Sequence, residues 1–368
     1  MNDSIMILGA AGNFGSKIAV SLAEAEISLT LVGRTEESLN KLQDKIKTIN
    51  PKISIKIAVL DIKTDLDHYL QLLKPFAVIN TCGPFQEDDY KVAESCIAQK
   101  IHYIDLADNR QYVIDFCDHL NETAIRNECV AITGASTVPC LSGAVLEHYK
   151  KQFKSLDSLK YGISPGQKTD RGLATVKSIL SYTGKILKPY IGSKNSYGWQ
   201  DLYKQNYPVL GSRLMANCEI PDLDLLPKLY GLKSIKFSGS MESPIVHLGL
   251  WLLSWLVRLG IMKNLVRYSE LLLKLSHIFD YFGTNDGGMH MIINGKDEND
   301  SPKALRWFII AKNGHGPHIP TIPAIILIKK LIRNKLKIKG ARICIGFISL
   351  EEYLSELELY DIEIYASS

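Results

Sequence analysis

Cysteine is sparse in this sequence and follows no pairing pattern. Its seven copies among 368 residues stand at 82, 96, 117, 129, 140, 218 and 344, with no Cys-x-x-Cys spacing. That argues against a disulfide framework or a zinc-binding cysteine set, and it points to a reducing compartment, read here as the cytoplasm. No basic-then-apolar leader opens the sequence, so no signal peptide is expected. Charge of one sign is not in excess either. Lys and Arg number 43 against 39 Asp and Glu, a net +4. This is too mild for nucleic acid and compatible with anionic small ligands. Neither an internal repeat nor a low-complexity tract is present, and no metal site is expected.

What the sequence does have is an ordinary globular composition, 46% hydrophobic and 22% charged, at a length that suits about two domains. In the first third, short β-branched runs alternate with helical stretches. Strands are expected at 4–8, 27–32, 53–60, 77–80, 103–106 and 130–133. Helices are expected at 14–25, 36–49, 90–99 and 109–127. That alternation predicts an α/β fold with a doubly wound parallel sheet over residues 1–138. Beyond it, 159–163, 234–238, 290–294 and 304–311 read as strands of a second, mixed or antiparallel sheet in a substrate and dimerisation domain, 139–312. Residues 313–368, with a helix at 323–336 and segments 337–347 and 350–357, form a C-terminal segment.

The first strand runs into Gly9-Ala-Ala-Gly12-Asn-Phe-Gly15 and then a helix, the context a dinucleotide fingerprint requires. Gly9 permits the turn off the strand, Gly12 lets backbone approach a pyrophosphate, and Gly15 lets the helix pack closely on the sheet. The helix N-terminus offers free N–H groups and partial positive charge to the phosphates. The second strand ends in Val32-Gly33-Arg34-Thr35, without the acid that would accept from a ribose 2′-hydroxyl. A guanidinium there suits a 2′-phosphate, so the expected cofactor is NADP(H). Asp61 ends the third strand, either as acceptor for the adenine amino group or as a helix N-cap. The fourth strand ends in "VINTCGPFQ" (78–86), and "HYIDLAD" (102–108) ends the fifth with Asp105 and Asp108 near the same edge.

These stretches carry a resemblance. "ILGAAGNFG", "VGRTEESL", "VINTCGPF", "HYIDLAD" and "GASTVPCLS" occur in the order seen in the saccharopine dehydrogenase-like family. "GLATVKSILSYTGK" (172–185), "PDLDLLP" (221–227) and "NGHGPHIPTIPA" (313–324) extend the likeness into the second half. The resemblance implies an NADP(H)-binding Rossmann domain, a substrate and homodimerisation domain, and a C-terminal segment returning towards the first domain. It implies cofactor contacts from Gly9, Ala11, Gly12, Asn13, Phe14, Gly15, Arg34, Thr35, Asp61, Thr81, Cys82 and Gly83. The family is chemically mixed, with imine reductases of amino acids beside enoyl-reducing partners of lipid synthesis.

An imine of several carboxylates would need arginine clamps, for which Arg171 and Arg213 are the candidates; either can equally be a surface arginine. Asp105 is a candidate substrate contact, and His315 the candidate proton donor or else a turn-capping histidine. Cys82 is read as a small thiol rather than a nucleophile, since no histidine can be assigned as its base. The stretch 245–282 is unusual in carrying two apolar helices with narrow polar stripes. Such a hairpin suits a homodimer core, a lid over a greasy substrate, or peripheral contact with a membrane surface. The expected activity is hydride transfer between NADP(H) and an imine, amino-acid or carbonyl-type small molecule. The alternatives are a membrane-surface reductase of lipid-like enoyl or carbonyl substrates and a non-catalytic NADP-sensing module.

Overall fold

The computed structural model describes residues 4–85 and 89–368. The chain divides into two compact units, Met1–Ala144 with His318–Leu354, and Val145–Pro317 with Ser355–Ser368.

The first unit opens with β1 (Ile5–Leu8), α1 (Asn13–Glu24), β2 (Leu29–Gly33), α2 (Glu36–Ile49) and β3 (Ile55–Val59). It continues through α3 (Leu66–Leu73), β4 (Ala77–Asn80), α4 (Lys91–Ala98), β5 (His102–Asp105), α5 (Arg110–Arg126) and β6 (Val130–Thr133), with α6 (Ser142–Tyr149) after it. β1, β4 and β6 are buried along their whole length, as unbroken apolar strands of a two-sided parallel sheet must be. α1 forms because Ile18 with Leu22 and Ala19 with Ala23 recur at helical spacing and bury one face. Ile18 and Leu22 each contribute about 1.5–3 kcal/mol when fully buried, and the alanines less. α1 ends where Glu26 turns left-handed, at φ +61°.

The second unit holds β7 (Ser155–Ser164), α7 (Leu173–Tyr182), β8 (Tyr203–Tyr207), β9 (Gly211–Asn217), α8 (Asp222–Tyr230) and β10 (Ser234–Gly239). Then come α9 (Pro244–Arg258), α10 (Ser269–His277), β11 (Gly287–Lys296) and β12 (Pro302–Ala311). The chain finishes with α11 (Ile322–Ile332), β13 (Gly340–Ile343), α12 (Leu350–Ser355) and β14 (Ile362–Ser367).

Both sheets have seven strands. The first is parallel throughout and ordered β13-β6-β5-β4-β1-β2-β3. Chain order reverses between β1 and β4, which makes their carboxyl ends the switch point where such folds bind ligands. The second is mixed and ordered β14-β12-β11-β7-β10-β9-β8, with β10 parallel to β7 and the other pairs antiparallel.

Several elements depart from the sequence reading. β13 adds a seventh strand to the first sheet, and α3 fills the connection before β4. The segment 313–368 does not return as one piece. His318–Leu354 joins the first unit, while β14 pairs with β12 in the second sheet. The first unit's opening segment runs to Ala144 rather than 138. Within 245–282, α9 and α10 are shorter than the apolar stretches, and α9 buries its polar stripe rather than its apolar one. No helix among the described residues is long and apolar enough to cross a membrane.

Candidate functional site

The glycine loop sits at the carboxyl end of β1. Gly9 has φ +75°, and an added Cβ would lie 2.8 Å from Thr81 Oγ1 and 2.9 Å from Cys82 Sγ. A Cβ at Gly15 would overlap the Gly9 carbonyl oxygen. A larger residue would be strained at Gly9 by its left-handed φ and would meet backbone at Gly15, the two reasons the fingerprint needs glycine: a left-handed turn and a close helix approach. The loop is pinned on both sides. The Ala10 N–H donates to the Val32 carbonyl at 2.9 Å, and the Gly12 N–H to the Gly9 carbonyl at 2.9 Å. The Thr81 hydroxyl donates to the Leu8 carbonyl at 2.7 Å, tying β4 to β1 at the switch point.

Gly12 caps α1 with no side-chain hydrogen bond, and the helix has no acidic residue in its first turn. Ala11 and Gly12 are exposed, Asn13 and Phe14 half-buried. A bare, glycine-capped helix start open to solvent is what a pyrophosphate would occupy. Lys17, one turn on, donates to Asn13 Oδ1 at 2.7 Å and its carbonyl at 3.1 Å, adding positive charge beside the cradle. The sequence reading missed Lys17, although its i+4 spacing from Asn13 was a signal.

Arg34 follows β2 and is exposed, with no hydrogen bond or ion pair to the described residues. Thr35 is the exposed N-cap of α2, its hydroxyl making no cap bond. Both are thus open to an incoming phosphate, although α2 itself begins Glu36-Glu37. Asp61 is engaged locally. Its Oδ1 accepts the Lys63 N–H at 2.9 Å, and its carbonyl accepts from Thr64 and Asp65. It closes the turn that leads to α3, whose N-cap is Asp65.

At the β4 edge, buried Asn80 accepts the Cys82 N–H at 3.0 Å and donates to the Tyr103 hydroxyl at 3.1 Å. Sequence reasoning missed Asn80 as well. It sets the backbone that carries the half-buried Cys82 and the exposed Gly83. Gln86, which ends the 78–86 motif, lies outside the described residues.

Asp105 is fully buried at the end of β5. Its Oδ1 accepts from the Thr133 hydroxyl at 2.8 Å and from the Ala107 and Gly134 N–H groups at 3.0 Å each. Burial raises its pKa to about 6, against the pull of those donors. A carboxylate so enclosed braces the ends of β5 and β6. The expected substrate contact does not fit this burial, because its solvation has been replaced by fixed donors.

The remaining candidates lie in the second unit. Arg171 donates to Asp280 Oδ1 at 2.6 Å, and Arg213 to Glu242 Oε1 at 3.1 Å. Gln167 links the two pairs, its N–H on Glu242 at 2.6 Å and its amide on Asp280 at 3.0 Å. Burial drives the Glu242 carboxyl upward, but the Gln167 and Thr284 N–H groups, the Thr284 hydroxyl and Arg213 together hold it below the usual range. Both arginines are therefore neutralised inside the protein rather than held as free clamps. The Nε atoms of both, and Gln167 Oε1, are nonetheless buried without a hydrogen-bond partner. His315 accepts the Asp361 N–H at 2.8 Å and meets the Tyr360 ring edge-on at 5.5 Å, which is the turn-capping geometry. Among the described residues, no group of three or more His, Cys, Asp or Glu side chains is placed to hold a metal ion.

Residues 5–135 match the family described as "Saccharopine dehydrogenase NADP binding domain". The first unit holds a saccharopine dehydrogenase-like NADP-binding domain. The cofactor of this domain is NADP(H). No curated protein matches the sequence. Among solved structures, the apo saccharopine dehydrogenase (L-Glu forming) of Saccharomyces cerevisiae aligns over 100% of both chains, with TM-score 0.65 and 12% identity. An engineered D-amino acid dehydrogenase bound to NADP+ aligns over 98% of this chain and 100% of its own, with TM-score 0.50 and 14% identity. At such identities the likeness speaks for the fold, and the cradle's own geometry must speak for the cofactor. The left-handed turn at Gly9 and the close helix approach at Gly15 are the geometry a dinucleotide cradle requires, and Arg34 lies exposed at the neighbouring strand end.

Proposed function

We propose that the chain is an NADP(H)-dependent oxidoreductase acting on an imine, amino-acid or carbonyl-type small molecule. The observation that carries this reading is the open cradle at the switch point: a glycine-capped helix start with unpaired Arg34 at the neighbouring strand end. Gly9, Ala11, Gly12, Asn13, Phe14 and Gly15 hold the pyrophosphate, with Lys17 adding charge. Arg34 and Thr35 take the 2′-phosphate by paired, charge-assisted hydrogen bonds. Thr81 acts through the Gly9 turn, while Cys82 and Gly83 face the crevice at the β4 edge. Bound NADPH supplies the hydride. The protein's share is to orient the acceptor and exclude water.

The test is NADPH oxidation by the purified chain, followed by loss of nicotinamide absorbance. Mixtures of an amino acid with an aldehyde or keto acid would supply imines, and free carbonyls and enoyl thioesters would be assayed separately. Turnover of an imine or carbonyl supports the reading. Tight NADPH binding with no turnover of any acceptor would favour the sensing module. A second reading, reduction of lipid-like enoyl or carbonyl substrates, is favoured by the exposed apolar side chains of α9 and α10. Turnover confined to the enoyl thioester would support it.

A further inference from the structure

Helix α9 is built inside out. His247 and Ser254 are its fully buried side chains. His247 Nδ1 accepts the Met241 N–H at 3.2 Å, and its ring lies against Trp199 with centroids 5.3 Å apart. Ser254 donates to the Trp251 carbonyl at 2.6 Å and accepts from Gln200 at 3.3 Å. Arg258 donates to Gln200 at 2.7 Å and stacks over the Tyr197 ring at 4.0 Å. The polar stripe is thus what anchors the helix to its own unit.

The opposite stripe faces water. Ile245, Leu252 and Leu259, one and two heptads apart on one helix face, are 66%, 57% and 66% exposed, with Leu248 and Ile261 exposed beside them. α10 and the turn after it expose a second set, Leu271, Leu275 and Ile278, with Tyr281 and Phe282 each 84% exposed. Exposed apolar side chains gathered in this number on two neighbouring helices of the sequence mark an interaction surface.

Charge selects the occupant. Lys263, Arg267 and Lys274 are exposed along this surface, against exposed Glu270 alone, since Asp280 is paired with Arg171. At the start of α10 an open cleft of about 510 Å³ is lined by Lys177, Asn264, Val266, Arg267, Ser269 and Glu270. The 15-residue α9 is too short to span a bilayer, which needs about 20 residues. A two-fold contact with a second copy would bring two copies of the same net-positive patch together. An anionic lipid surface answers both features, apolar to apolar and phosphate to ammonium and guanidinium.

We infer that residues 244–282 dock the protein on an anionic membrane surface. The Ile245–Leu252–Leu259 stripe and Phe282 enter the headgroup boundary, and the Lys177–Arg267 cleft receives a lipid phosphate. This docking does not depend on the proposed activity.

Flotation of the full chain with vesicles tests it. One set is phosphatidylcholine alone and the other a mixture with phosphatidylserine, each at low and high salt. Partition should be about tenfold higher on the anionic vesicles and should fall with salt. Leu252→Glu with Phe282→Glu should abolish partition, and Arg267→Glu with Lys274→Glu should remove the preference for anionic lipid. NADPH affinity should be unchanged in every variant, which shows that each one folds. Inorganic phosphate at millimolar level should not displace the protein if the lipid surface, rather than free phosphate, is the ligand. Failure to float would overturn the inference. So would a concentration-dependent dimer, seen by sedimentation without vesicle binding and dissociated by Leu252→Glu.

Discussion

The Thr81 hydroxyl lies 2.7 Å from the Leu8 carbonyl oxygen and 3.2 Å from that of Gly9, so one side chain just after β4 holds both residues at the end of β1. Thr81→Val keeps the shape and removes the donor. A hydrogen bond of this kind contributes about 0.5–1.5 kcal/mol. Calorimetric titration should show NADPH binding weakened by up to about tenfold. Unchanged affinity with a lowered melting temperature would confine Thr81 to folding.

Gly15→Ala should be far more damaging, because its Cβ would collide with backbone, the Gly9 carbonyl, rather than with a flexible side chain. The cradle must open to admit it. NADPH binding should be lost at concentrations that saturate the native chain, while circular dichroism stays α/β. Native affinity in this variant would show that the phosphates do not lie against the turn.

For cofactor choice the relevant variant is Arg34→Ala. A charge-assisted bond to the 2′-phosphate contributes about 1.5–3 kcal/mol, or a factor of about 10 to 100 in affinity. NADPH binding should weaken by that factor and NADH binding hardly at all, with no loss of stability, because Arg34 has no partner within the described fold. Equal losses for the two cofactors would refute the assignment.

Asp105 should give the first unit a particular pH dependence. Its folded pKa of about 6 lies above the usual carboxylate value, so the folded state holds the proton more tightly than the unfolded one. The stability this contributes is complete below about pH 4 and is lost as pH rises through about 6. In denaturant titrations the stability of the native chain relative to Asp105→Asn, its neutral isostere, should therefore fall between about pH 4 and about pH 7, by at most about 3 kcal/mol. A difference that does not change with pH would remove Asp105 as the cause.

The second unit should respond in the opposite sense. Burial lowers His247 to about 4, and burial with Lys160 nearby lowers His290 to about 3. His290 is fully buried, with Tyr207 Oη 2.7 Å from its Nδ1. Unfolded histidines take up protons near 6.5. Stability from these two groups is present above that value and is lost on acidification towards their folded values. Hydrogen exchange at α9 and β11, corrected for intrinsic rate, should show less protection at about pH 5 than at about pH 7.5. Equal protection at both would count against it.

How much of this was legible in the sequence depended on how local each signal was. The six strands of the opening third were readable because each is a short apolar run between glycine, asparagine and helical signals. So was the cradle, since strand, glycines and helix are contiguous. β13 was not, because Gly340-Ala-Arg-Ile343 is four residues whose only reason to be a strand is β6, more than two hundred residues earlier. β8 and β9 were missed for another reason. Tyr203–Tyr207 is mostly polar and sits at the sheet edge, where exposure replaces apolar alternation. In α9 the amphipathic period was visible but its sense was not. Periodicity reports that one face differs from the other, and only Trp199, Gln200 and Met241 decide which face is covered. The pairing of Arg171 with Asp280 and of Arg213 with Glu242 was likewise beyond reach, each joining residues far apart in the chain.

The strand order also carries a consequence for how the chain is made. β6 must wait for β13, and β12 for β14, so each sheet receives an outer strand from a segment made long after the sheet's first strands. Until residue 340 emerges, β6 presents an open ladder of N–H and C=O groups to whatever strand is near. A nascent or truncated chain ending before Gly340 would bear two such ladders. In the second sheet the finished fold thus exchanges the ten-residue open ladder of β12 for the six residues of β14.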